Sequence, residues 1–318
     1  MNKPLLSVIV PSFNEEKNVE PFYFALKAVL DETNYRWEVI YIDDGSSDDT
    51  LNLLQRLSTW HPQVNYVSFT RNFGKEAAIL AGFQHAKGDC AIVIDADLQH
   101  PVELIHDLLE GFEDGYDQVI ACRNRKGDHL LKTALSKMYY KLINKVVDVR
   151  LEDGAGDFRL LSRRAVEALL VMSEGNRFSK GLFSWIGFDQ KVVYYENVSR
   201  QNGESKWSIS KLINYGIDGI VSFNMKPLRL CFYVGGFILV AALIYILIMF
   251  TQIIRTGIDV PGYFTIVSAV LFLGGIQLVS LGIIGEYIGR IYNETKRRPH
   301  YLVKESNATK GKRYERVQ

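Results

Sequence analysis

Short apolar runs rich in β-branched residues recur through the first part of the chain, at residues 5–11, 37–42, 64–69, 90–94 and 118–121. Between them the apolar positions fall at helical spacing, as in 19–30 and 103–112. Strands alternating with helices predict an α/β domain with a mostly parallel sheet, because parallel neighbours need long crossovers and those crossovers cover both faces. Residues 156–161, the helical stretch 163–171 and the run 191–198 are expected to complete the sheet less regularly. The pattern then changes. Residues 230–254 and 260–285 carry no charge, and each run is longer than the ~20 residues that span a bilayer core. They predict a two-helix transmembrane hairpin at about 230–254 and 261–286. Just before it, Ile209, Leu212, Ile213, Ile217, Ile220 and Val221 share one helical face while Lys211, Asn214, Asp218 and Ser222 lie elsewhere, the pattern of a helix in the headgroup layer. The expected organisation is an α/β domain over 1–205, an interfacial helix and linker over 206–229, the hairpin over 230–290 and a basic tail over 291–318.

Charge sets the expected orientation. Lys226 and Arg229 precede the first span and Arg290, Lys296, Arg297 and Arg298 follow the second, whereas the connection offers Arg255 against Asp259. The positive-inside bias puts both termini and the α/β domain on the cytoplasmic side of the cell (inner) membrane. The first apolar run stops at Pro11, Glu15 and Glu16, too short for a signal peptide. A net charge of +1 argues against general nucleic-acid binding, and the tail reads as a solvated segment near anionic membrane lipids. Gly274, Gly275, Gly282, Gly285 and Gly289 allow close helix approach, within the hairpin or in a homo-oligomer. Cys90, Cys122 and Cys231 have neither disulfide nor metal spacing.

Candidate chemistry begins with "AIVIDADLQH", residues 91–100. An apolar strand there ends in Asp95, Asp97 and Gln99, and in open α/β sheets the crevice beyond the strand ends is where ligands bind. A helix cap would account for one Asp, not for two with a Gln. The first strand runs into "VPSFNEEKN" and the second into "YIDDGSSDDT", so three strands deliver polar clusters to one crevice. Neither GxGxxG nor GxxxxGK[ST] occurs, and "GAGDFR" at 154–159 lacks the third glycine, which disfavours a dinucleotide dehydrogenase and a P-loop NTPase. Acids without a phosphate-cradling loop point to a divalent cation that neutralises a diphosphate, and hard oxygen ligands to Mg²⁺ or Mn²⁺.

The segments "PSFNEE", "DDGSSDDT", "RNFGKEAAILAGF", "DADLQHP", "GDFRLLSRR" and "NGESKW", in this order and followed by a membrane hairpin, resemble the family 2 glycosyltransferases of the GT-A fold. More narrowly they resemble the polyprenyl-phosphate glycosyltransferases, the bactoprenol glucosyltransferases and dolichol-phosphate mannose synthases. The resemblance covers about residues 4–300. It implies inverting transfer of a hexose, glucose from UDP-glucose, to undecaprenyl phosphate at the cytoplasmic membrane face. Pro11, Phe13, Glu15, Ile42, Asp43 and Asp44 match positions that hold base and ribose, Asp95 and Ala96 contacts to the nucleotide sugar, and Asp97 with Gln99 the metal ligands. Arg123, Arg200 and Lys206 match basic groups for the donor diphosphate or the acceptor phosphate, and Asp157 the acid usually assigned as base.

Plainer readings stand beside these. Asp43 or Asp44 could simply open a turn, Asp157 could pair with Arg159, and Lys75 could touch phosphate or be a solvated first-turn lysine. His100 is not expected to be a metal ligand, because a helix starting at Pro101 would turn it away. A phosphate monoester has a second pKa of about 6, so the acceptor hardly needs deprotonation and Asp157 is expected to orient more than to abstract. The competing functions are transfer from GDP-mannose, UDP-galactose or an amino-sugar donor, transfer to diacylglycerol, a processive polysaccharide synthase, and a nucleotide-binding membrane scaffold. The synthase would need a QxxRW motif and further spans, neither of which is present.

Overall fold

The computed structural model describes residues 3–124, 154–172, 174–175, 177–196, 226–256 and 262–309. In order, the elements are β1 (Leu5–Ser12), α1 (Val19–Asp31), β2 (Arg36–Asp43), α2 (Thr50–Trp60), β3 (Val64–Phe69), α3 (Lys75–His85), β4 (Cys90–Val93), α4 (Leu104–Glu113) and β5 (Gln118–Asn124). There follow β6 (Ala155–Ser162), α5 (Arg163–Val171), α6 (Ser179–Trp185), β7 (Gln190–Glu196), α7 (Lys226–Thr256), α8 (Tyr263–Thr295) and β8 (Val303–Ser306). The eight strands form one sheet in the order β7-β5-β6-β4-β1-β2-β3-β8. β1 pairs in parallel with both β2 and β4, β2 with β3, and β5 with β7. β6 is antiparallel between β4 and β5. The mostly parallel α/β sheet expected from the alternation is therefore present, and the irregular second half comes from β6 running against its neighbours.

Alternation within the strands divides the core in two. Leu6, Val8 and Val10 bury against Phe22 and Leu26 of α1, Leu54 of α2 and Leu108 of α4. On the other face Ile9, Ile40 and Ile42 pack with Ala78 of α3, Val166 of α5 and Phe183 of α6. α3 approaches closely: a Cβ on Gly82 would lie 2.1 Å from the Ile9 side chain. With both faces covered, the free edge of this parallel core is the carboxyl ends of β1, β2 and β4, which open together.

The C-terminal region departs from the expected solvated tail. β8 pairs antiparallel with β3 and closes that edge of the sheet. Tyr301 stacks on Phe69 with ring centroids 4.6 Å apart, and Asn307 Oδ1 accepts a hydrogen bond from the Tyr66 amide at 2.6 Å. The short apolar run at residues 301–303, after Arg298, is the one hint of it, obscured by the basic residues around it. α7 and α8 fall on the two charge-free runs. Among the described residues, Phe272–Thr295 of α8 is long and apolar enough to cross a membrane, with a mean hydropathy of 1.4. The expected interfacial helix over 206–229 lies almost wholly outside the described residues.

Candidate active site

The parallel register sets Ser12 of β1 beside Asp43 of β2, so the loops after both strands leave the sheet together. They are laced by side chains. Asn14, held at φ 55, donates its amide to Ser46 Oγ and accepts on Oδ1 from the Ser47 amide, each at 2.9 Å. The Glu15 amide donates to Thr50 Oγ1 at 2.9 Å, and its carboxylate accepts from Asn18 Nδ2 at 2.6 Å. Buried Asp43 accepts from Ser68 Oγ at 2.7 Å and from the Ser46 amide at 3.0 Å, which ties β2 to β3. Buried Asp44 accepts from the amides of Phe73 at 2.6 Å and Gly74 at 3.0 Å. Burial pushes the Asp44 carboxyl up, and those two amides draw it back in part. Gly45, at φ 68, passes so close to Arg71 that a Cβ would lie 2.4 Å from the Arg71 carbonyl carbon. Pro11, Phe13, Glu15, Ile42, Asp43 and Asp44 thus sit on or directly beneath one braced double loop. By accepting from the Ser46 amide Asp43 also opens the turn after β2, and the N-cap residue of α2 is Asp49.

The third loop follows β4. Ala96 is buried and Asp95, Asp97 and Gln99 are half-buried. Leu98 takes the left-handed conformation at φ 57, and the Gln99 amide donates to Asp97 Oδ1 at 3.1 Å; this turn sets Asp97 and Gln99 close together. The expected helix start after His100 is corrected here. Helix α4 begins at Leu104 rather than at Pro101, so His100 remains in the crevice, its Nδ1 2.7 Å from the Tyr195 hydroxyl and its Nε2 3.9 Å from the Asp95 carboxylate. Burial holds the His100 imidazole below its ordinary pKa, and burial pushes the Tyr195 hydroxyl up to about 12. Arg123, next to the end of β5, is in register with Tyr195 on β7, which puts it on the same side of the crevice.

Asp157 completes the site from β6. Antiparallel pairing of Val93 with Arg159 carries Asp157 to the level of Asp95. The charge between them is Lys75, the first residue of α3: its Nζ is 2.8 Å from the Asp95 carboxylate and 2.6 Å from that of Asp157. Burial alone would push the Asp157 carboxyl up; the Lys75 ammonium, with Lys180 and Arg159 farther away, reverses this and holds it below the ordinary carboxylate range. The same two acids outweigh burial at Lys75 and hold its pKa above the usual value. Arg159, the partner considered for Asp157 from the sequence, instead stacks on Phe183 at 3.9 Å and donates Nη2 to the Gly156 carbonyl at 2.7 Å. Beside this bridge Glu76 accepts from the amide and hydroxyl of Ser179, and burial, with Asp157 nearby, pushes its carboxyl up to about 7. Ser179 of α6 and Tyr195 of β7 carry no motif signal, because distant elements bring them in, and Glu76 lies within "RNFGKEAAILAGF" with no spacing that marks a role. Arg200 and Lys206 lie outside the described residues.

A divalent cation fits this loop. The Asp97 carboxylate and Gln99 carbonyl are hard oxygen donors on one turn. Among the described residues no group of three or more His, Cys, Asp or Glu side chains could hold a metal unaided. A cation here would complete its shell with ligand oxygens, as a diphosphate supplies.

Fold and site together define an α/β domain whose strand-end crevice is lined by acids and whose sequence carries neither glycine-rich phosphate motif. Residues 7–170 match the glycosyl transferase family 2 domain and residues 226–291 the GtrB C-terminal hairpin. CsbB of Bacillus subtilis (strain 168), named as a glycosyltransferase, is 64% identical over 96% of this chain and 93% of its own length. The bactoprenol glucosyl transferase of Shigella phage SfII is 42% identical over 95% of this chain and 98% of its own. Among solved structures, the mannosyl-3-phosphoglycerate synthase from Rubrobacter xylanophilus is similar, at 18% identity and a TM-score of 0.47 over 68% of this chain and 71% of that one. The chain belongs to glycosyl transferase family 2, and it is a glycosyltransferase.

Proposed function

We propose that this enzyme transfers glucose from UDP-glucose to a polyprenyl phosphate, undecaprenyl phosphate, with inversion at the anomeric carbon. The observation that carries the acceptor is the near full-length identity to a bactoprenol glucosyl transferase, hairpin included. The crevice supports the donor: the braced double loop of Pro11, Phe13, Glu15, Ile42, Asp43 and Asp44 takes base and ribose, and Asp95 with Ala96 takes the sugar. Asp97 and Gln99 would hold Mg²⁺ or Mn²⁺, which when bound supplies positive charge to the leaving diphosphate. Arg123, with Arg200 and Lys206, offsets repulsion between the acceptor phosphate and the donor. Asp157 orients the acceptor. In the donor-free crevice Lys75 holds it ionised, and a dianionic phosphate has little proton to give.

In this reading α7 and α8 anchor the catalytic domain to the cytoplasmic face of the cell membrane, both termini inside, with the glycines of α8 available for packing within the hairpin or between subunits. Anchoring brings a membrane-bound acceptor to a crevice that takes its donor from water. The experiment is a transfer assay with purified full-length enzyme in vesicles, UDP-glucose, UDP-galactose and GDP-mannose each being offered with undecaprenyl phosphate. Labelled glucosyl lipid from UDP-glucose alone is the expected product. Transfer from GDP-mannose alone would overturn the donor, and transfer to diacylglycerol in place of the polyprenyl phosphate would overturn the acceptor.

A further inference from the structure

Lys75 bridges two acids that belong to different strands and, in the reading above, to different substrates. Asp95 faces the sugar donor and Asp157 the acceptor. Its backbone is fixed on the donor side, because Asp44 holds the amides of Phe73 and Gly74 immediately before it. The side chain as a whole keeps 40% of its surface exposed. A lysine ammonium has three donors on a flexible four-carbon stem, and the two acids engage two of them. A diphosphate approaching this crevice meets the carboxylates of Asp95, Asp97 and Asp157, and Lys75 is the ammonium placed between two of them. It gains most where that ammonium can reach it.

We propose that Lys75 is a catalytic residue with two positions: it bridges Asp95 and Asp157 in the donor-free crevice, and turns to the diphosphate of the bound sugar donor, releasing Asp157 to face the acceptor. This rests on the donor being a nucleoside diphosphate sugar. In the transfer step a lone pair on the acceptor phosphate oxygen forms the new bond to the anomeric carbon. The bond from that carbon to the diphosphate breaks, and its electron pair leaves with the nucleoside diphosphate. Lys75 keeps all its protons and donates hydrogen bonds to the oxygens that gain charge, stronger in the transition state than before it. The exchange also orders the reaction, since Asp157 is occupied until a donor has taken the ammonium.

The test is calorimetric titration of full-length enzyme with UDP, GDP, uridine and guanosine, for wild type, Lys75→Arg and Lys75→Met, with steady-state kinetics alongside. Wild type is expected to bind one diphosphate. Lys75→Met should weaken that diphosphate by about tenfold or more with its nucleoside unchanged, and should lower kcat by about 10²–10³-fold, the usual cost of losing one preorganised donor. Lys75→Arg should recover most of both. The double variant Lys75→Met, Asp157→Asn removes the uncompensated acid that could unfold the single variant, and the diphosphate loss should persist in it. Unchanged diphosphate binding in Lys75→Met would overturn the proposal. So would an equal loss of diphosphate and nucleoside, the mark of a structural role. Wild type that binds neither diphosphate would instead overturn the donor reading on which the proposal stands.

Discussion

The crevice has two halves that use acids in opposite ways. On the β1 and β2 side, Asp43 and Asp44 accept from backbone amides and a serine hydroxyl, partners that are part of the fold and cannot leave. On the β4 and β6 side, Asp95 and Asp157 are held by one lysine, whose ammonium sits at the end of a flexible chain. The first half is architecture that presents a binding surface. The second is balanced by a charge that a substrate can take over. Acidity alone therefore does not distinguish a ligand-binding carboxylate from a structural one; the mobility of its partner does.

The largest effect is expected at Asp97, which the loop turn presents for a cation. Asp97→Asn should lower transfer by about 10³-fold or more, on the scale of losing a metal's charge stabilisation, while expression and membrane insertion stay near wild type. Wild-type rates with undiminished Mn²⁺ dependence would remove Asp97 from the metal site. Next comes Asp157. In the donor-free crevice its carboxyl is held low by Lys75, and the acceptor phosphate itself loses its second proton near pH 6. Asp157→Asn should therefore keep a residual single-turnover rate that rises with pH around 6; a rate flat at background from pH 5 to 9 would make Asp157 the obligatory base.

A smaller effect is expected at Glu76. Its ordinary pKa of 4.5 is pushed up to about 7 by burial. Between those values the unfolded chain has lost the proton and the folded one keeps it, so stability should fall as pH rises through that window. Melting curves of Glu76→Gln should lack this fall and lie above wild type at pH 8. A wild-type melting temperature that climbs from pH 5 to 7, with Glu76→Gln following it, would show that Glu76 is ordinarily ionised.

Much of this was legible in the chain itself. Strand–helix alternation gave the parallel core, since a buried parallel strand has to be an unbroken apolar run such as residues 91–94, and the acids at three strand ends located the crevice. What the chain could not give were facts of long-range register. Lys75 reads equally as a solvated helix residue until β6 is seen running antiparallel to β4 with Asp157 opposite Asp95. His100 reads as turned away until α4 is seen to start four residues later. β8 reads as a basic tail because a four-residue edge strand has too few positions to show its period. Asp43 and Asp44 look like ligands from spacing, and only the positions of Ser68 and Phe73 reveal that they also brace the fold.

The contrast between the two halves is tested most directly by measuring melting temperature and single-turnover transfer on the same preparations of Asp44→Ala and Asp157→Asn. Removing Asp44 strands two amides, at about 1–3 kcal/mol for each buried donor left without an acceptor, whereas removing the charge of Asp157 leaves Lys75 paired with Asp95. Asp44→Ala should melt well below wild type. Asp157→Asn should melt near it, yet show the greater loss of transfer per folded molecule. An Asp157→Asn protein that melts earlier than Asp44→Ala, or that transfers faster per folded molecule, would contradict the division of the site into fixed and exchangeable acids.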